Sequence, residues 1–146
     1  MLNFRKADKK DILQIVELEK NTFSDAWSVQ GVTDSYMQRQ SFITVAEMEE
    51  KIVAYCIVYY VLEEGEIARI AVDKGLRRQG IGRGLLDYTC QICFEKQIER
   101  LLLDVRASNT SARYFYESYG FQSDGTRKMF YENPSEDAVL MSKSLV

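Results

Sequence analysis

The chain has 146 residues, of which 46% are hydrophobic and 28% are charged, and its formal net charge is −3. This length and composition predict one folded domain over residues 1–146. No apolar run approaches the roughly 20 residues of a membrane span, and the N-terminal sequence MLNFRKADKK is charged where a secretory signal is apolar. We therefore expect a cytoplasmic, most simply monomeric protein without a membrane partner. The acidic net charge also argues against nucleic acid as a partner.

The chain contains no histidine. Ser-His-Asp and Cys-His catalytic arrangements are therefore excluded, as is any His-ligated metal, and acid–base work falls to carboxylates, tyrosines or lysines. Cys90 and Cys93 form a C-x-x-C pair, but a zinc site needs two more ligands and only Cys56 remains. At helical spacing the pair continues the apolar face of Leu86, so we expect core cysteines and no metal.

Hydrophobic periodicity predicts an N-terminal strand followed by two helices. The strand alternates over Leu2–Ala7, and Asp8 and Asp11 then resemble a capping box that opens a helix. A loop over Asn21–Ser28 leads to a second, weaker helix over Val29–Gln38. The buried face of the first helix is predicted to consist of Ile12, Ile15, Val16 and Leu18.

The remaining elements alternate between strands and helices. Strands are predicted at Phe42–Met48, Ile52–Leu62, Glu66–Val72, Leu101–Ala107, Phe121–Tyr131 and Ala138–Leu145, and helices at Ile81–Lys96 and Asn109–Ser118. No linker or repeat divides the order β-α-α-β-β-β-α-β-α-β-β. It predicts an α/β protein of the α+β type, with one mixed sheet of about seven strands and helices on both of its faces.

A loop rich in glycine and arginine joins the third consecutive strand to the following helix. The segment VDKGLRRQGIGRGLLDY contains three glycines, Gly80, Gly82 and Gly84, and three arginines, Arg77, Arg78 and Arg83. Glycines let successive N–H groups point at one anion, and the helix N-terminus adds partial positive charge. A pyrophosphate suits this loop, although a flexible turn with solvated arginines fits the residues equally well.

Two common phosphate-binding motifs do not match this loop. A Walker loop requires a lysine after its last glycine, and none follows here. A dinucleotide fingerprint places its first glycine in a tight turn directly after the strand, whereas seven residues separate Val72 from Gly80. A longer loop that wraps onto a helix N-terminus remains.

A second motif lies about thirty residues downstream, in LDVRASNTSARYFYESYGF. There Asn109, Ala112, Tyr116, Gly120 and Phe121 form the pattern N-x-x-A-x-x-x-Y-x-x-x-G-F. Together with RRQGIG, which matches the pattern [QR]-x-x-G-x-[GA], this segment resembles the GNAT superfamily of acetyl-coenzyme A-dependent N-acetyltransferases. The resemblance covers essentially the full length and implies the GNAT fold, with a central, mostly antiparallel mixed sheet.

Three segments narrow the resemblance to the RimI-type branch, which acetylates the N-terminal alanine of a small-subunit ribosomal protein. They are IAVDKGLRRQGIGRGLL, VRASNTSARYFYESYGF and AWS. The likeness implies acetyl-coenzyme A as co-substrate and the N-terminal segment of a protein as partner. It implies cofactor contacts from Ile70, Ala71, Val72, Arg78, Gln79, Gly80, Ile81, Gly82, Arg83 and Asn109.

The same resemblance assigns Tyr116 as the general acid that protonates the leaving thiolate. A phenol, with a pKa near ~10, keeps its proton until a thiolate forms. The base is open between two carboxylates. The RimI pattern has a glutamate where this chain has Asp104, one methylene shorter, and other GNAT branches carry a catalytic glutamate at the position of Glu66. A structural ion pair of Asp104 with Arg106 or Arg69, and an acidic surface rim at Glu66, are the alternatives.

These residues lead to one main expectation and two alternatives. The main expectation is acetyl transfer to the α-amino group of an N-terminal alanine, with Trp27 either lining the peptide entrance or fastening its loop to the core. The first alternative is a GNAT enzyme that acetylates another amine, such as a lysine side chain, a polyamine or a small molecule. The second is a non-catalytic module that binds acetyl-CoA.

Overall fold

Seven strands and four helices make up the computed structural model, which describes residues 1–146. The strands are β1 (Leu2–Lys6), β2 (Ser41–Met48), β3 (Lys51–Val61), β4 (Glu64–Val72), β5 (Arg100–Arg106), β6 (Gln122–Tyr131) and β7 (Glu136–Ser144). The helices are α1 (Ile12–Thr22), α2 (Val29–Met37), α3 (Ile81–Glu95) and α4 (Thr110–Tyr119). Every predicted element is present, with small shifts at the ends. For example, α1 extends to Thr22, so the loop that follows it is Phe23–Ser28.

The strands form one mixed sheet in the order β1-β2-β3-β4-β5-β7-β6. Every neighbouring pair is antiparallel except β4 and β5, which run parallel. The predicted mostly antiparallel mixed sheet is therefore confirmed. The parallel pair lies at its centre, where the chain crosses from β4 to β5 through α3.

Two hydrophobic clusters cover the two faces of the sheet, because successive side chains of a strand point to opposite sides. On β3, Tyr55 and Ile57 pack with the buried residues of α1 and α2, whereas Cys56 and Val58 pack with those of α3 and α4. The prediction of helices on both faces is confirmed. All four residues predicted for the buried face of α1, which are Ile12, Ile15, Val16 and Leu18, belong to the first cluster.

The start of α1 follows the predicted capping pattern. A short 3₁₀ turn over Lys9–Asp11 precedes the helix, and the Asp8 N–H donates to the Asp11 carboxylate at 2.7 Å. The same carboxylate accepts two bonds from the Arg5 guanidinium, at 2.8 and 3.1 Å. Asp11 therefore both caps the turn and fastens it to β1.

The cysteines lie in or against the core cluster beneath α3. Cys56 and Cys93 are buried and Cys90 is half-buried. Burial raises the pKa of the Cys93 thiol to about 12, so it stays protonated and unreactive at neutral pH. None of the four helices combines the length and the apolar character needed to cross a membrane.

Candidate active site

The two central strands separate partway along their length. β4 pairs with β5 only from Glu64 to Ile67, opposite Arg100–Leu103. Directly after this stretch the pairing of β4 with β3 shifts by one residue, since Val58 lies opposite Ile67 while Ile57 lies opposite Arg69. The extra residue, Ala68, is a β-bulge, which bends a strand and increases its local twist. The second half of β4 therefore runs along a gap in the sheet.

The register fixes which backbone groups face this gap. Hydrogen-bonded and non-bonded pairs alternate along an antiparallel ladder, and the N–H of Asp73 donates to the carbonyl of Val53 at 2.8 Å. Two residues back, Ala71 lies opposite Tyr55 and belongs to the bonded set. Ile70 and Val72 belong to the other set, so their N–H and C=O groups point away from β3 toward the gap. The Val72 carbonyl accepts a bond from Nε of Arg77 at 3.3 Å. The groups left for a cofactor at these two positions are therefore the N–H and C=O of Ile70 and the N–H of Val72.

The glycine loop lies at the end of β4 and leads into α3. Arg78 has φ +67° and Gly80 has φ +82°, both in the left-handed region, and α3 begins at Ile81. The first bond inside the helix runs from the Gly84 N–H to the Gly80 carbonyl at 3.0 Å, which leaves the preceding N–H groups of the helix start without partners in the helix. A Cβ at Gly82 would lie 3.2 Å from Cζ of Phe115. Any larger residue at this position would therefore have to displace the Phe115 ring by a few tenths of an ångström.

The arginines of the loop carry no compensating carboxylate. None of the salt bridges of the chain involves Arg77, Arg78 or Arg83. The Arg83 guanidinium lies 5.3 Å from the centre of the Tyr119 ring and donates to the Ser118 carbonyl at 3.4 Å. The predicted neighbour Gln79 is exposed. Three unpaired cations beside a free helix N-terminus fit a pyrophosphate, since both favour negative charge.

The two predicted residues of α4 lie on the same side of the sheet as the loop. The Asn109 side chain caps the helix, because its Oδ1 accepts the Ala112 N–H at 3.1 Å. Its amide N–H₂ remains as a donor. Tyr116 is buried between the rings of Phe115 and Phe121, at centroid distances of 5.4 and 5.6 Å. Burial, helped by neighbouring Cys56, raises the pKa of Tyr116 above its ordinary value.

The two candidate bases share the opposite face of the sheet. Glu66 lies opposite Tyr59, whose side chain packs with the α1–α2 cluster. Leu103 and Val105 of β5 are buried on the α3–α4 side, so Asp104 between them points the other way. Burial raises the pKa of both carboxyl groups, and the charge of Asp104 raises that of Glu66 further. Glu66 remains exposed to solvent, whereas Asp104 is half-buried.

The ion-pair alternative for Asp104 does not match the observed contacts. Arg106 pairs with Glu136 at 3.5 Å, and Arg69 pairs with Glu19 at 3.3 Å and with Asp25 at 3.2 Å. The charge of Arg127 lowers the pKa of Asp104, but less than burial raises it. Asp104 is therefore a partly buried carboxylate outside any close ion pair, which suits a base.

Two segments, which we call walls, lie over this face of the sheet, because Arg69 of β4 bonds to Asp25 in one and Arg106 of β5 bonds to Glu132 and Pro134 in the other. One segment is the α1–α2 loop, Phe23–Ser28, and the other is the β6–β7 turn, Glu132–Ser135. The two segments touch where the Ser24 Oγ donates to the Asn133 carbonyl at 2.8 Å. We call the space beneath them the acceptor cleft. Trp27 is half-buried and lines a concavity of about 390 Å³ with Ser28, Gly31, Ser35 and Tyr59.

Sequence reasoning missed Tyr131, at the end of β6. Burial, followed by the nearby Asp104 charge, raises the pKa of its hydroxyl to about 12. The Arg106 guanidinium lies 4.5 Å from the centre of its ring. Tyr131 therefore stands beside a candidate base at the β6–β7 wall. Only its place at the end of a strand, in a run of aromatic residues, could have drawn attention to it.

Comparison with known proteins agrees with this geometry. Residues 12–121 match the family described as "Acetyltransferase (GNAT) family". The ribosomal protein bS18-alanine N-acetyltransferase of Escherichia coli is 31% identical over 134 residues, which are 90% of each chain. The protein of that name from Haemophilus ducreyi is 28% identical over 137 residues, which are 92% of this chain and 94% of the relative.

Solved structures show the same arrangement of elements. The crystal structure of the ribosomal-protein-S18-alanine N-acetyltransferase from Escherichia coli has a TM-score of 0.91 at 28% identity and covers 99% of this chain and 94% of that one. Arabidopsis thaliana NAA60 in complex with acetyl-CoA has a TM-score of 0.89 at 14% identity, covering 99% and 98%, and supports the fold alone. The matched family, the relatives and the gap between β4 and β5 agree. The chain belongs to the GNAT family of acetyltransferases and is an acetyl-CoA-dependent N-acetyltransferase.

Proposed function

We propose that the protein acetylates the N-terminal α-amino group of a ribosomal protein that begins with alanine. The observation that carries this proposal is the 31% identity, over 90% of both chains, to the Escherichia coli enzyme named for that reaction. The acceptor cleft supports it, because two candidate bases lie beneath its walls. Such an acceptor would be met in the cytoplasm.

Acetyl-CoA would bind on the α3–α4 side of the gap. There the backbone N–H and C=O of Ile70 and the N–H of Val72 would bind its pantetheine arm, and the loop from Arg78 to Arg83 would bind its pyrophosphate. Ala71 would contribute through its position in the strand rather than through its backbone, which faces β3. Asn109 would donate a hydrogen bond to the cofactor from its side-chain N–H₂. The contact of Gly82 in α3 with Phe115 in α4 supports this site, which we call the cofactor cradle, because it holds the glycine loop next to α4.

The reaction is direct transfer within a ternary complex. Acetyl-CoA supplies an activated thioester, which the neutral acceptor amine attacks as the thiolate leaves. Tyr116 gives its phenolic proton to that thiolate. Because burial raises the pKa of Tyr116, its hydroxyl is protonated at neutral pH and is available as the proton donor.

Glu66 and Asp104 remove the proton from the acceptor amine, directly or through water. Both carboxyl groups have a raised pKa, which brings them closer to the operating pH, where a general base works best. An N-terminal α-amine has a pKa near ~8, against ~10.4 for lysine. A carboxylate of modest strength therefore suffices for a chain terminus.

A panel of acceptors tests the proposal. Three acceptors are compared at saturating acetyl-CoA: an Ala-starting peptide with an internal lysine, the same peptide with a blocked N-terminus, and free polyamine. We expect acetyl transfer to the first alone, with mass spectrometry placing the acetyl group on the α-amine. Transfer to the blocked peptide or to polyamine would establish the first alternative, another amine. Binding of acetyl-CoA without any turnover would establish the second, a binding module.

Variants at the two carboxylates then identify the base. Asp104→Ala and Glu66→Ala are assayed from pH 6 to 9 with the accepted amine. Loss of activity that is largest at low pH, where less of the amine is neutral, assigns the base to the substituted residue. Wild-type rates in both variants would mean that neither carboxylate is needed.

A further inference from the structure

One buried cluster holds the α1–α2 loop against the sheet. Its centre is Glu19, whose side chain is fully buried. One carboxylate oxygen accepts the Trp27 N–H at 2.7 Å, and the other accepts the Tyr55 hydroxyl and lies 3.3 Å from Nε of Arg69. A buried carboxylate is stable only when its oxygens are fully engaged. Moving the loop away from the sheet would therefore take the Trp27 N–H from the buried Glu19 carboxylate.

Arg69 connects this cluster to the rest of the loop. Its Nη2 donates to the Asp25 carbonyl at 2.8 Å and to the Asp25 carboxylate at 3.2 Å. Its guanidinium also lies 4.1 Å from the centre of the Phe23 ring and 5.2 Å from that of Trp27. One side chain from β4 thus contacts three residues of a six-residue loop. A planar guanidinium can stack and donate at the same time, which a lysine ammonium cannot.

Arg69 stands on the same face of β4 as the candidate base Glu66. The two residues lie opposite Ile57 and Tyr59, which are alternate residues of β3. Because the bulge at Ala68 separates them, Arg69 faces this side although it is three residues beyond Glu66. The contact that holds the loop therefore sits directly beside the acceptor cleft.

The second wall of the cleft is held in a similar way. Arg106 of β5 donates to the Glu132 carbonyl at 2.8 Å and to the Pro134 carbonyl at 2.9 Å. The two walls then meet where Ser24 bonds to Asn133. A displacement of the α1–α2 loop would change the width of the cleft, since the bonds from Arg106 hold the opposite wall to β5.

We propose that Arg69 is the positioning residue of the acceptor site: it fixes the α1–α2 loop and thereby sets the affinity for the acceptor without contacting acetyl-CoA. The nature of the acceptor rests on the function proposed above, but the anchoring of the loop does not. Arg69 acts through Phe23, Asp25 and Trp27. Its loss should therefore weaken acceptor binding and leave the cofactor side of the gap unchanged.

The test compares Arg69→Lys with Arg5→Lys. Arg5 is a matched control, because it also pairs with a buried carboxylate, Asp11, but lies on the edge strand β1. For Arg69→Lys we expect the KM for the acceptor peptide to rise about tenfold or more, with the KM for acetyl-CoA unchanged. Arg5→Lys should change neither constant.

The single tryptophan of the chain supplies a second readout, independent of catalysis. Acrylamide should quench Trp27 fluorescence more strongly in Arg69→Lys than in the wild type or in Arg5→Lys. Unchanged quenching together with an unchanged KM for the acceptor would overturn the proposal. So would an equal rise in both KM values, because that result indicates general loosening of the fold.

A milder variant keeps the proposal testable if Arg69→Lys does not fold. Asp25→Ala removes a half-exposed carboxylate and leaves the pair of Arg69 with Glu19 in place. It should raise the acceptor KM by roughly two- to threefold and increase quenching, and no change in either would count against the proposal. If the acceptor panel identifies another amine, the proposed function fails, and the role of Arg69 is judged by the KM of that amine.

Discussion

Replacing Tyr116 with phenylalanine tests the acid role directly, because it removes only the hydroxyl. The ring packs between Phe115 and Phe121, and both contacts remain in Tyr116→Phe. A typical neutral hydrogen bond contributes about 1 kcal/mol, so stability should change by no more than about that amount. Any large loss of activity then belongs to the missing proton donor.

General acid catalysis contributes about 10²–10⁴-fold to a rate. Since each tenfold corresponds to about 1.36 kcal/mol, the barrier in Tyr116→Phe should rise by roughly 2.7–5.4 kcal/mol. The loss should appear in kcat, with the KM of both substrates nearly unchanged. Because burial raises the pKa of Tyr116, the hydroxyl stays protonated from pH 6 to 9, and the loss should be uniform across that range.

The assay follows acetylated peptide by mass spectrometry under saturating substrates. Tyr114→Phe is the matched control, because Tyr114 lies on the same helix with 74% of its surface exposed. It should keep wild-type activity. The reasoning is refuted if Tyr116→Phe lowers kcat less than about threefold, or if the control loses as much activity as Tyr116→Phe.

Three further variants test the cofactor cradle, the candidate base and the buried cluster. Gly82→Ala would place a Cβ 3.2 Å from Cζ of Phe115; we expect acetyl-CoA to bind roughly fivefold more weakly or worse, which calorimetric titration measures. Asp104→Asn should lower activity yet raise thermal stability at neutral pH. Burial raises the pKa of Asp104 in the folded state, so ionisation costs stability as pH rises, and the gain in melting temperature should vanish at acidic pH, where the carboxyl is protonated. Glu19→Ala removes the buried partner of the Arg69 guanidinium and leaves it only the more exposed carboxylate of Asp25, and urea denaturation should show a loss of about 3–5 kcal/mol; a loss below about 1 kcal/mol would mean that the cluster contributes little.

The local patterns of the sequence predicted the elements and indicated where a cofactor would bind. Alternation and helical periodicity located all seven strands and four helices, because these signals depend on residues only a few positions apart. The glycine loop and the N-x-x-A-x-x-x-Y pattern likewise indicated the cofactor side. On that side the groups that would bind the pyrophosphate are close together in the sequence, around the start of one helix.

The acceptor side could not be predicted in the same way, because it is built from residues far apart in the chain. Whether Glu66 approaches Asp104 depends on the register between β4 and β5, and whether Arg69 faces Glu19 depends on a one-residue bulge at Ala68. Shifting a strand by one residue moves every side chain to the other face. The sequence by itself therefore determined which elements form and where a pyrophosphate suits the chain. Only the tertiary structure decided which carboxylates and arginines meet in the cleft, because long-range packing sets the register.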